Sequence, residues 1–561
     1  MKNKVLIFSN TLSISEALVL FNENANEIKG FAVLIDSDNL FYSVVTDGDF
    51  RRAFSSGISI YDSVIKVCSK NPKILVEDRI KDSFYDLLNL ESNIPNYFPV
   101  INNNNEIVNI LSLSDIQSDF FKDKVAVFGL GFVGLTLAVT LADNGYDVTG
   151  IDINEEIVDE LNNCNVRIFE PNLKHKLEIA LSNNKIRFQK SLKTSSSNYL
   201  ISVGTPIDLS DLKPKLDYLD SVCDDIGSVL KKNDLIMLRS TVPVGTTRNY
   251  VILRLEKVSN LKAGEDFFVS FCPERTVEGK ALEELVNLPQ IIGGFSEKCL
   301  QLSIHFWSRI SKSIVKSQSL EAAELVKLAN NTFRDLSFAF SNQLAMISSK
   351  YNVDSKELIE SANNGYPRNK IPLPSPGVGG YCLTKDPFLF STNIFNEKVP
   401  DSFGIISRKI NTKMIDFCLE PIKEFKNKNP SDKHKFLIAG VAFKGVPKTN
   451  DHRGSTSIEI FKKLHKFYPN DIFHAYDSVI IEDILLNIGF SKSIDLDYDI
   501  NYYDFLLILN NSPEHKKLEN KLLKIHKKNI FIFDGWSLLN KKVLNSNSNL
   551  TYCNLGYCSD G

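Results

Sequence analysis

The segment Gly377-Val378-Gly379-Gly380-Tyr381-Cys382-Leu383-Thr384-Lys385-Asp386-Pro387 is the richest in reactive side chains. A thiol that follows three glycines lies where backbone can approach a ligand closely, and an acid four residues on can manage protons. A cysteine beside glycines is also an ordinary packing element, so this segment alone leaves catalysis and packing both open. Lys327 and Asn331 stand four apart in a helical pattern and so share one face. By spacing alone they are either a solvated polar pair or two donors aimed at one oxygen.

A second constellation is Gly129-Leu130-Gly131-Phe132-Val133-Gly134. It follows Lys124–Phe128, a nearly continuous apolar run that reads as a buried parallel strand, and precedes a predicted helix over Leu135–Ala142 that stops at Asn144-Gly145. A second strand, Asp147–Ile151, then ends on Asp152. Strand, glycine turn, helix and terminal acid make a dinucleotide fingerprint. Gly129 permits the tight turn, Gly131 lets backbone approach the pyrophosphate, and Gly134 lets helix and strand pack closely. The N-terminal end of that helix, just after Phe132 and Val133, which are read as cofactor-binding, faces the phosphates. Asp152 can accept both ribose hydroxyls and would repel a 2'-phosphate, which favours NAD over NADP. The chain therefore reads as an NAD-dependent dehydrogenase.

These groups need a scaffold. Apolar runs at Tyr199–Val203, Leu235–Leu238 and Phe267–Phe271 alternate with helical stretches, which predicts a doubly wound α/β NAD-binding domain over residues 121–315. From Ser319 to about Ser349 a helical pattern runs without Pro or Gly, a spine opening a central region, 316–425, that carries the cysteine loop. The α/β rhythm returns in 426–561, with strands at Lys435–Val441, Ile472–Tyr476, Phe505–Leu509 and Ile530–Phe533 and a helix over Ser455–His465. This predicts a second, smaller parallel-sheet domain. The tail from Leu544, rich in Asn and Ser, is expected to be loosely held.

Residues 1–120 contain a repeat: Leu34-Ile35 then Phe41–Thr46 matches Val100-Ile101 then Ile107–Ser112 at one constant offset. Each copy is strand, polar turn, strand, then Thr46-x-x-Asp49 or Ser112-x-x-Asp115, a pattern that can cap a helix. The segment VVTDGDFRRAF resembles the signature of CBS domains, and two copies make the usual α+β CBS pair. The resemblance implies that Thr46, Asp49, Ser112 and Asp115 hold the ribose and phosphates of an adenine nucleotide, with plain helix capping as the other reading.

At 561 residues, 43% hydrophobic and 24% charged, the chain has the composition of a multidomain globular protein. A net charge of -3 and a pI near 6.3, with basic residues scattered, argue against a nucleic-acid partner. No apolar stretch suits a bilayer or a signal peptide, which points to a cytoplasmic protein without a membrane partner. Nine cysteines without a CxxC pair suit reduced thiols better than a disulfide framework or a metal site.

Eight motifs in one order make the region from Lys124 to about Cys553 similar to the UDP-glucose/GDP-mannose 6-dehydrogenase family: VFGLGFVGL (Val127–Leu135), VGTP (Val203–Pro206), STVPVGTT (Ser240–Thr247), CPER (Cys272–Arg275), ELVKLANNTFRD (Glu324–Asp335), GVGGYCLTKDP (Gly377–Pro387), GVAFK (Gly440–Lys444) and DHRGS (Asp451–Ser455). The resemblance implies two NAD-binding-type α/β domains joined by a helical spine that commonly makes the interface of a homodimer or larger homo-oligomer. It implies a four-electron oxidation of a sugar C6 alcohol to a carboxylate, with Cys382 forming a thiohemiacetal and then a thioester. Lys327 and Asn331 would stabilise the oxyanion, Asp386 would transfer protons and activate water, and Glu274 would assist thioester hydrolysis. Thr241 would lie by the nicotinamide with Thr205 and Pro206, and Arg368, Gly379, Lys444 and Arg453 would hold the nucleotide sugar. The spacing from Lys444 to Arg453 is two residues longer than the family's.

Tyr366-Pro367-Arg368 through Pro376–Gly380 resembles the branch that oxidises UDP-N-acetylhexosamines for surface polysaccharides, although Tyr381 stands where that branch has His. Thr384-Lys385-Asp386 is closer to the UDP-glucose and GDP-mannose branches, which stay as the alternative. Hydroxyacid dehydrogenases need neither Cys382 nor a second α/β domain. A catalytically dead nucleotide sensor would not need Cys382, Lys327, Asn331 and Asp386 intact.

Overall fold

The computed structural model describes residues 6–23, 30–80, 83, 95–113, 116, 124–208, 213–392, 402–527 and 529–559. The chain divides into two compact units, Met1–Asp123 and Lys124–Gly561.

The first unit holds two three-stranded sheets of the same build, β1 (Ile7–Ser9), β2 (Phe31–Ile35) and β3 (Phe41–Thr46), and β4 (Leu75–Val76), β5 (Tyr97–Ile101) and β6 (Ile107–Ser112). In each, a parallel strand flanks an antiparallel hairpin, and both hairpins bulge at the same step, Leu34/Ile35 and Val100/Ile101. The sequence repeat is thus repeated in the hydrogen bonds. Asp36 Oδ1 accepts the Asp38 and Leu40 amides, as Asn102 Oδ1 accepts those of Asn104 and Glu106, and Asn39 and Asn105 both take the left-handed conformation the turns require.

In the second unit, β7 (Lys124–Phe128), β8 (Asp147–Ile151), β9 (Ile186–Gln189), β10 (Asn198–Ile201), β11 (Leu235–Leu238), β12 (Phe268–Phe271), β13 (Gln290–Gly294) and β14 (Ile314–Lys316) form one sheet. Its order is β14-β13-β12-β11-β10-β7-β8-β9, parallel except where β12 meets β13. The central strands are buried on both faces, as their unbroken apolar runs require. Because β7 pairs β8 on one side and β10 on the other, a crevice opens at its carboxyl end, directly below Gly129.

The second sheet, β15 (Lys435–Ala439), β16 (Ile472–Tyr476), β17 (Lys492–Ser493), β18 (Phe505–Ile508), β19 (Ile530–Asp534) and β20 (Leu550–Asn554), is parallel throughout in the order β17-β16-β15-β18-β19-β20. Between the sheets runs a central helix of 30 residues, Leu320–Ser349, started by the Ser319 side chain, which accepts the Ala322 amide. It packs against the helix Phe403–Lys428.

Two expectations are corrected here. The tail is not loose: Leu544, Tyr552, Cys553 and Leu555 are buried and β20 completes the sheet, because apolar side chains interrupt the polar run at strand spacing. Nor are all cysteines reduced: Cys553 and Cys558 face each other across the turn at Gly556 and are joined as a disulfide. The remaining seven are free, four of them buried and Cys382 exposed. Among the described residues no helix is long and apolar enough to cross a membrane.

Candidate active site

The glycine turn forms a cradle of the shape a pyrophosphate needs. Gly129 has φ +84°, and a Cβ on Gly134 would overlap the Gly129 carbonyl oxygen, so helix and strand touch there only because both residues lack side chains. Around Gly131 the space is open, and the helix Phe132–Asp143 starts on it without a side-chain cap. The free backbone N–H groups of the first turn, including those of Phe132 and Val133, are a ready anion site. Asp152 directly follows β8, with Oδ2 accepting the Leu130 amide at 2.7 Å, which fixes its carboxylate beside the turn. These residues fit a dinucleotide.

The cysteine loop meets this crevice from the other side. Its glycines serve packing against the second sheet domain rather than an approach to ligand: a Cβ on Gly379 would lie 2.5 Å from the Gly454 carbonyl oxygen and one on Gly380 2.8 Å from the Phe443 ring. On the side where a Cβ would stand, Gly379 is therefore packed against protein. Cys382 itself is solvent-accessible, yet enough protein surrounds it that burial pushes its thiol pKa up. The Asp386 carboxylate adds to this, while Lys327 and Lys385 oppose it.

Asp386 starts the helix Asp386–Thr392 and is fully buried. Its Oδ2 accepts Asn331 Nδ2 at 2.5 Å and its Oδ1 accepts Lys385 Nζ at 2.7 Å. Both of its buried oxygens therefore have a donor. Lys385 continues the chain to Thr205 Oγ1 at 3.4 Å, and Thr205 Oγ1 donates to the Thr241 carbonyl at 2.5 Å. Burial disfavours the Lys385 charge, but Asp386 and Cys382 outweigh it and raise its pKa. Lys327 is only 8% exposed, so the solvated-pair reading of Lys327 and Asn331 is set aside: both turn inward toward the loop. Pro206 follows Thr205 on the same stretch, and Tyr381 lies against Gly204.

Glu274 is buried against Arg239, a fully buried guanidinium that also stacks over Trp307 at 4.5 Å. Burial works against the Glu274 charge, but Arg239, the Thr276 amide and Lys327 together hold its pKa below the usual range. It is an ionised acceptor rather than a proton donor at neutral pH.

Lys444 is buried with its Nζ on the Glu278 carbonyl at 2.9 Å, and burial lowers its pKa. Arg453 pairs with Asp451 at 2.7 Å and lies over the Tyr381 ring at 4.9 Å, beside Cys382. Between Lys444 and Arg453, Asn450 accepts the Phe169 amide and donates to the Arg167 carbonyl of the first sheet domain.

Arg368 is not brought to this cluster. It lies on the exposed stretch 364–370 with its guanidinium over Tyr366 at 5.5 Å, and the Asn363 side chain bonds Ile371 across that stretch. In the first unit, Thr46 and Asp49 form a complete capping box, with Asp49 Oδ2 accepting the Thr46 amide at 2.8 Å and hydroxyl at 2.7 Å. Ser112 ends β6 at the equivalent place, and Asp115 lies outside the described residues.

Sequence reasoning passed over Arg239, Lys385, Glu278 and Glu324. Arg239 had a signal, a charged residue closing the apolar strand β11. Glu324, three residues before Lys327, is fully buried and accepts the Gly245 amide at 2.5 Å and the Thr247 amide at 2.8 Å, which ties the Thr241 loop to the central helix. Its pairing partners are backbone groups, which no sequence pattern displays.

Comparison with known proteins agrees with this geometry. Residues 123–311 match the NAD-binding domain of the UDP-glucose/GDP-mannose dehydrogenase family, and residues 321–413 match its central domain. A UDP-N-acetyl-D-mannosamine dehydrogenase of Pyrococcus horikoshii is 32% identical over 422 residues, 74% of this chain and 96% of that protein. An NDP-N-acetyl-D-galactosaminuronic acid dehydrogenase of Ralstonia solanacearum is 34% identical over 359 residues, 62% of this chain and 81% of that one. The solved UDP-D-ManNAc dehydrogenase structure from Pyrococcus horikoshii superposes with a TM-score of 0.67 at 29% identity, covering 77% of this chain and 99% of the other. With glycine cradle, cysteine loop and second sheet domain in place, the chain belongs to the UDP-glucose/GDP-mannose dehydrogenase family, and is an NAD-dependent nucleotide-sugar dehydrogenase.

Proposed function

We propose that the protein oxidises the C6 alcohol of a UDP-N-acetylhexosamine to the carboxylate, in the cytoplasm, with Cys382 as nucleophile. One observation supports the reading: Asp386, whose charge acts on the Cys382 thiol, is held by Asn331 and Lys385, and Lys385 reaches Thr205 at the edge of the dinucleotide crevice. NAD, when bound, accepts a hydride from C6 in each of the two oxidations. Gly129, Gly131, Phe132, Val133 and Gly134 would hold its pyrophosphate, Asp152 its ribose, and Thr205, Pro206 and Thr241 its nicotinamide end.

Asp386 takes the proton of the C6 hydroxyl, and Lys385 and Asn331 keep the carboxylate aimed. Cys382 Sγ then adds to the C6 aldehyde carbon; the C–O π pair moves to oxygen, and Lys327 and Asn331 donate to that oxygen. The thiohemiacetal carbon gives up its hydride to leave a thioester. Ionised Glu274, fixed by Arg239, orients the water that opens it, with Thr241 beside it, and the thiol is regenerated. Lys444 and Arg453 grip the nucleotide, and Arg368 approaches only with a rearranged loop.

The N-acetylhexosamine is favoured because relatives acting on UDP-N-acetyl-D-mannosamine cover most of the second unit. The buried Lys385–Asp386 pair is the observation on the side of UDP-glucose or GDP-mannose. Incubation with UDP-N-acetylmannosamine, UDP-N-acetylglucosamine, UDP-N-acetylgalactosamine, UDP-glucose and GDP-mannose, followed by NADH formation, separates the readings.

We infer further that the first unit is a CBS pair that binds an adenine nucleotide and tunes turnover. A cleft of about 590 Å³ there is lined by Thr46, Asp49, Arg52, Lys73, Phe31 and Tyr97, cations and rings that suit a nucleotide. Calorimetry of the full chain with AMP, ADP and ATP tests this; no binding by all three removes it. A homodimer through the central helix is the matching proposal for assembly, supported by its exposed Phe333, Phe340 and Ile347.

A further inference from the structure

From Ser375 to Gly380, just before Cys382, the chain has neither helix nor strand to hold it, so its course is set by what its backbone is bonded to. Two of those bonds lead to a buried polar cluster separate from Lys327, Asn331, Lys385 and Asp386. Asp335, on the central helix, accepts Arg408 Nη1 at 2.8 Å and Asn411 Nδ2 at 2.8 Å on Oδ1, and the Ser407 hydroxyl at 2.7 Å on Oδ2. The same Arg408 nitrogen donates to the Val378 carbonyl at 3.1 Å. Asn411 Oδ1 accepts Asn342 Nδ2 at 2.9 Å, and Asn342 Oδ1 accepts the Ser375 amide at 2.8 Å.

All of these side chains are less than a tenth exposed. Buried ion pairs add little net stability over apolar packing, but their bonds are directional. Here the direction is toward the loop. Lys327, Asn331 and Asp335 are successive steps of four along one face of the central helix. Asn331 holds Asp386, four residues after the thiol, while Asp335 holds Val378, four residues before it, through Arg408. One helix face therefore grips the loop on both sides of Cys382.

We propose that Asp335 and Arg408 are positioning residues for Cys382, holding its sulfur where the C6 aldehyde is delivered. The inference rests on the reading of Cys382 as nucleophile. The step they serve consumes no oxidant: the S–C bond forms, the C–O π pair moves to oxygen, and the proton the thiol gives up balances the one that oxygen takes. A sulfur out of place would leave the first oxidation possible and impair capture of its product.

The test uses the full-length protein and the variants Asp335→Asn, Arg408→Met and Arg408→Lys. Two quantities are read: the rate at which iodoacetamide alkylates Cys382, followed by peptide mass, and the ratio of hydroxylamine-trapped aldehyde to acid formed from UDP-N-acetyl-D-mannosamine. In Asp335→Asn and Arg408→Met we expect each to change by about tenfold or more, with the aldehyde ratio rising and Arg408→Lys restoring both part of the way. If both stay within about twofold of the parent while only total activity or melting temperature falls, the pair merely stabilises the fold and the proposal is overturned. Should either of the first two variants not fold, Asn342→Ser, which shortens the side chain that holds the Ser375 amide, is measured in the same two ways: a change of about tenfold supports the proposal and one within about twofold overturns it. Full acid formation by Cys382→Ala would instead overturn the nucleophile reading and with it the catalytic part of this proposal. The two failures are distinguishable, because alkylation reports the thiol's position whether or not the thiol is used.

Discussion

Asn331 and Asp386, 55 residues apart, are joined by a hydrogen bond of 2.5 Å from Nδ2 to Oδ2 that ties the central helix to the loop carrying Cys382. The bond leaves Asp386 Oδ1 to Lys385 and keeps a fully buried carboxylate aimed. Asn331→Ala removes this restraint and, on the proposed mechanism, an oxyanion donor. We expect kcat to fall by about 10²- to 10³-fold with a smaller change in NAD affinity, measured by steady-state kinetics and NADH fluorescence titration. An unchanged kcat would remove Asn331 from the chemistry.

The thiol of Cys382 is raised by burial and then by Asp386, against Lys327 and Lys385. Removing the carboxylate removes a negative charge that disfavours the thiolate. In Asp386→Asn the pH profile of Cys382 alkylation is therefore expected to move to lower pH, with faster alkylation near neutrality, while acid formation falls. A profile that stays in place or moves upward contradicts the arrangement.

Two glycines of one turn are expected to behave differently. A methyl on Gly134 would collide with the Gly129 carbonyl, whereas one on Gly131 would enter open space. Gly134→Ala is expected to lower the melting temperature and abolish NAD binding. Gly131→Ala should melt like the parent and bind NADH at least about tenfold more weakly, about 1.4 kcal/mol. Parental NADH affinity in Gly131→Ala would mean that the open space is not the cofactor's.

Glu278 lies where the two sheet domains meet, hydrogen-bonded to Thr449 at 3.1 Å, and burial followed by Asp451, against Lys444, raises its pKa to about 7. The folded state thus holds a proton that the unfolded chain releases above its ordinary value of 4.5. This contribution to stability is full below about 4.5 and is lost as pH rises through about 7. Glu278→Gln cannot ionise, so its melting temperature is expected to gain on the parent's as pH rises across that window. A difference independent of pH would count against the raised value.

Much of this site was legible from the chain. The strand, glycine turn, helix and Asp152 carry their geometry locally, because a tight turn needs glycine at fixed places whatever lies elsewhere. Cys382, Asp386, Lys327 and Asn331 stand out by residue type, but type and spacing leave their roles open and only the family resemblance assigns them; the fold brings them together. What was not legible depends on long-range partners. The glycines before Cys382 face Gly454 and Phe443, more than sixty residues on, so their role as packing surfaces shows only in three dimensions. Arg239, Glu324 and Asp335 look like ordinary polar residues in sequence, and their importance lies in burial against distant groups. The Asn- and Ser-rich tail was misjudged because composition hid Leu550, Tyr552 and Leu555, which complete the sheet.

The most direct test of the central claim is the count of NADH formed per molecule of acid from UDP-N-acetyl-D-mannosamine, for the parent and for Cys382→Ala. The account predicts two NADH per acid in the parent and no net acid in Cys382→Ala despite intact NAD binding. One NADH per sugar in the parent, or undiminished acid formation without the thiol, would contradict it.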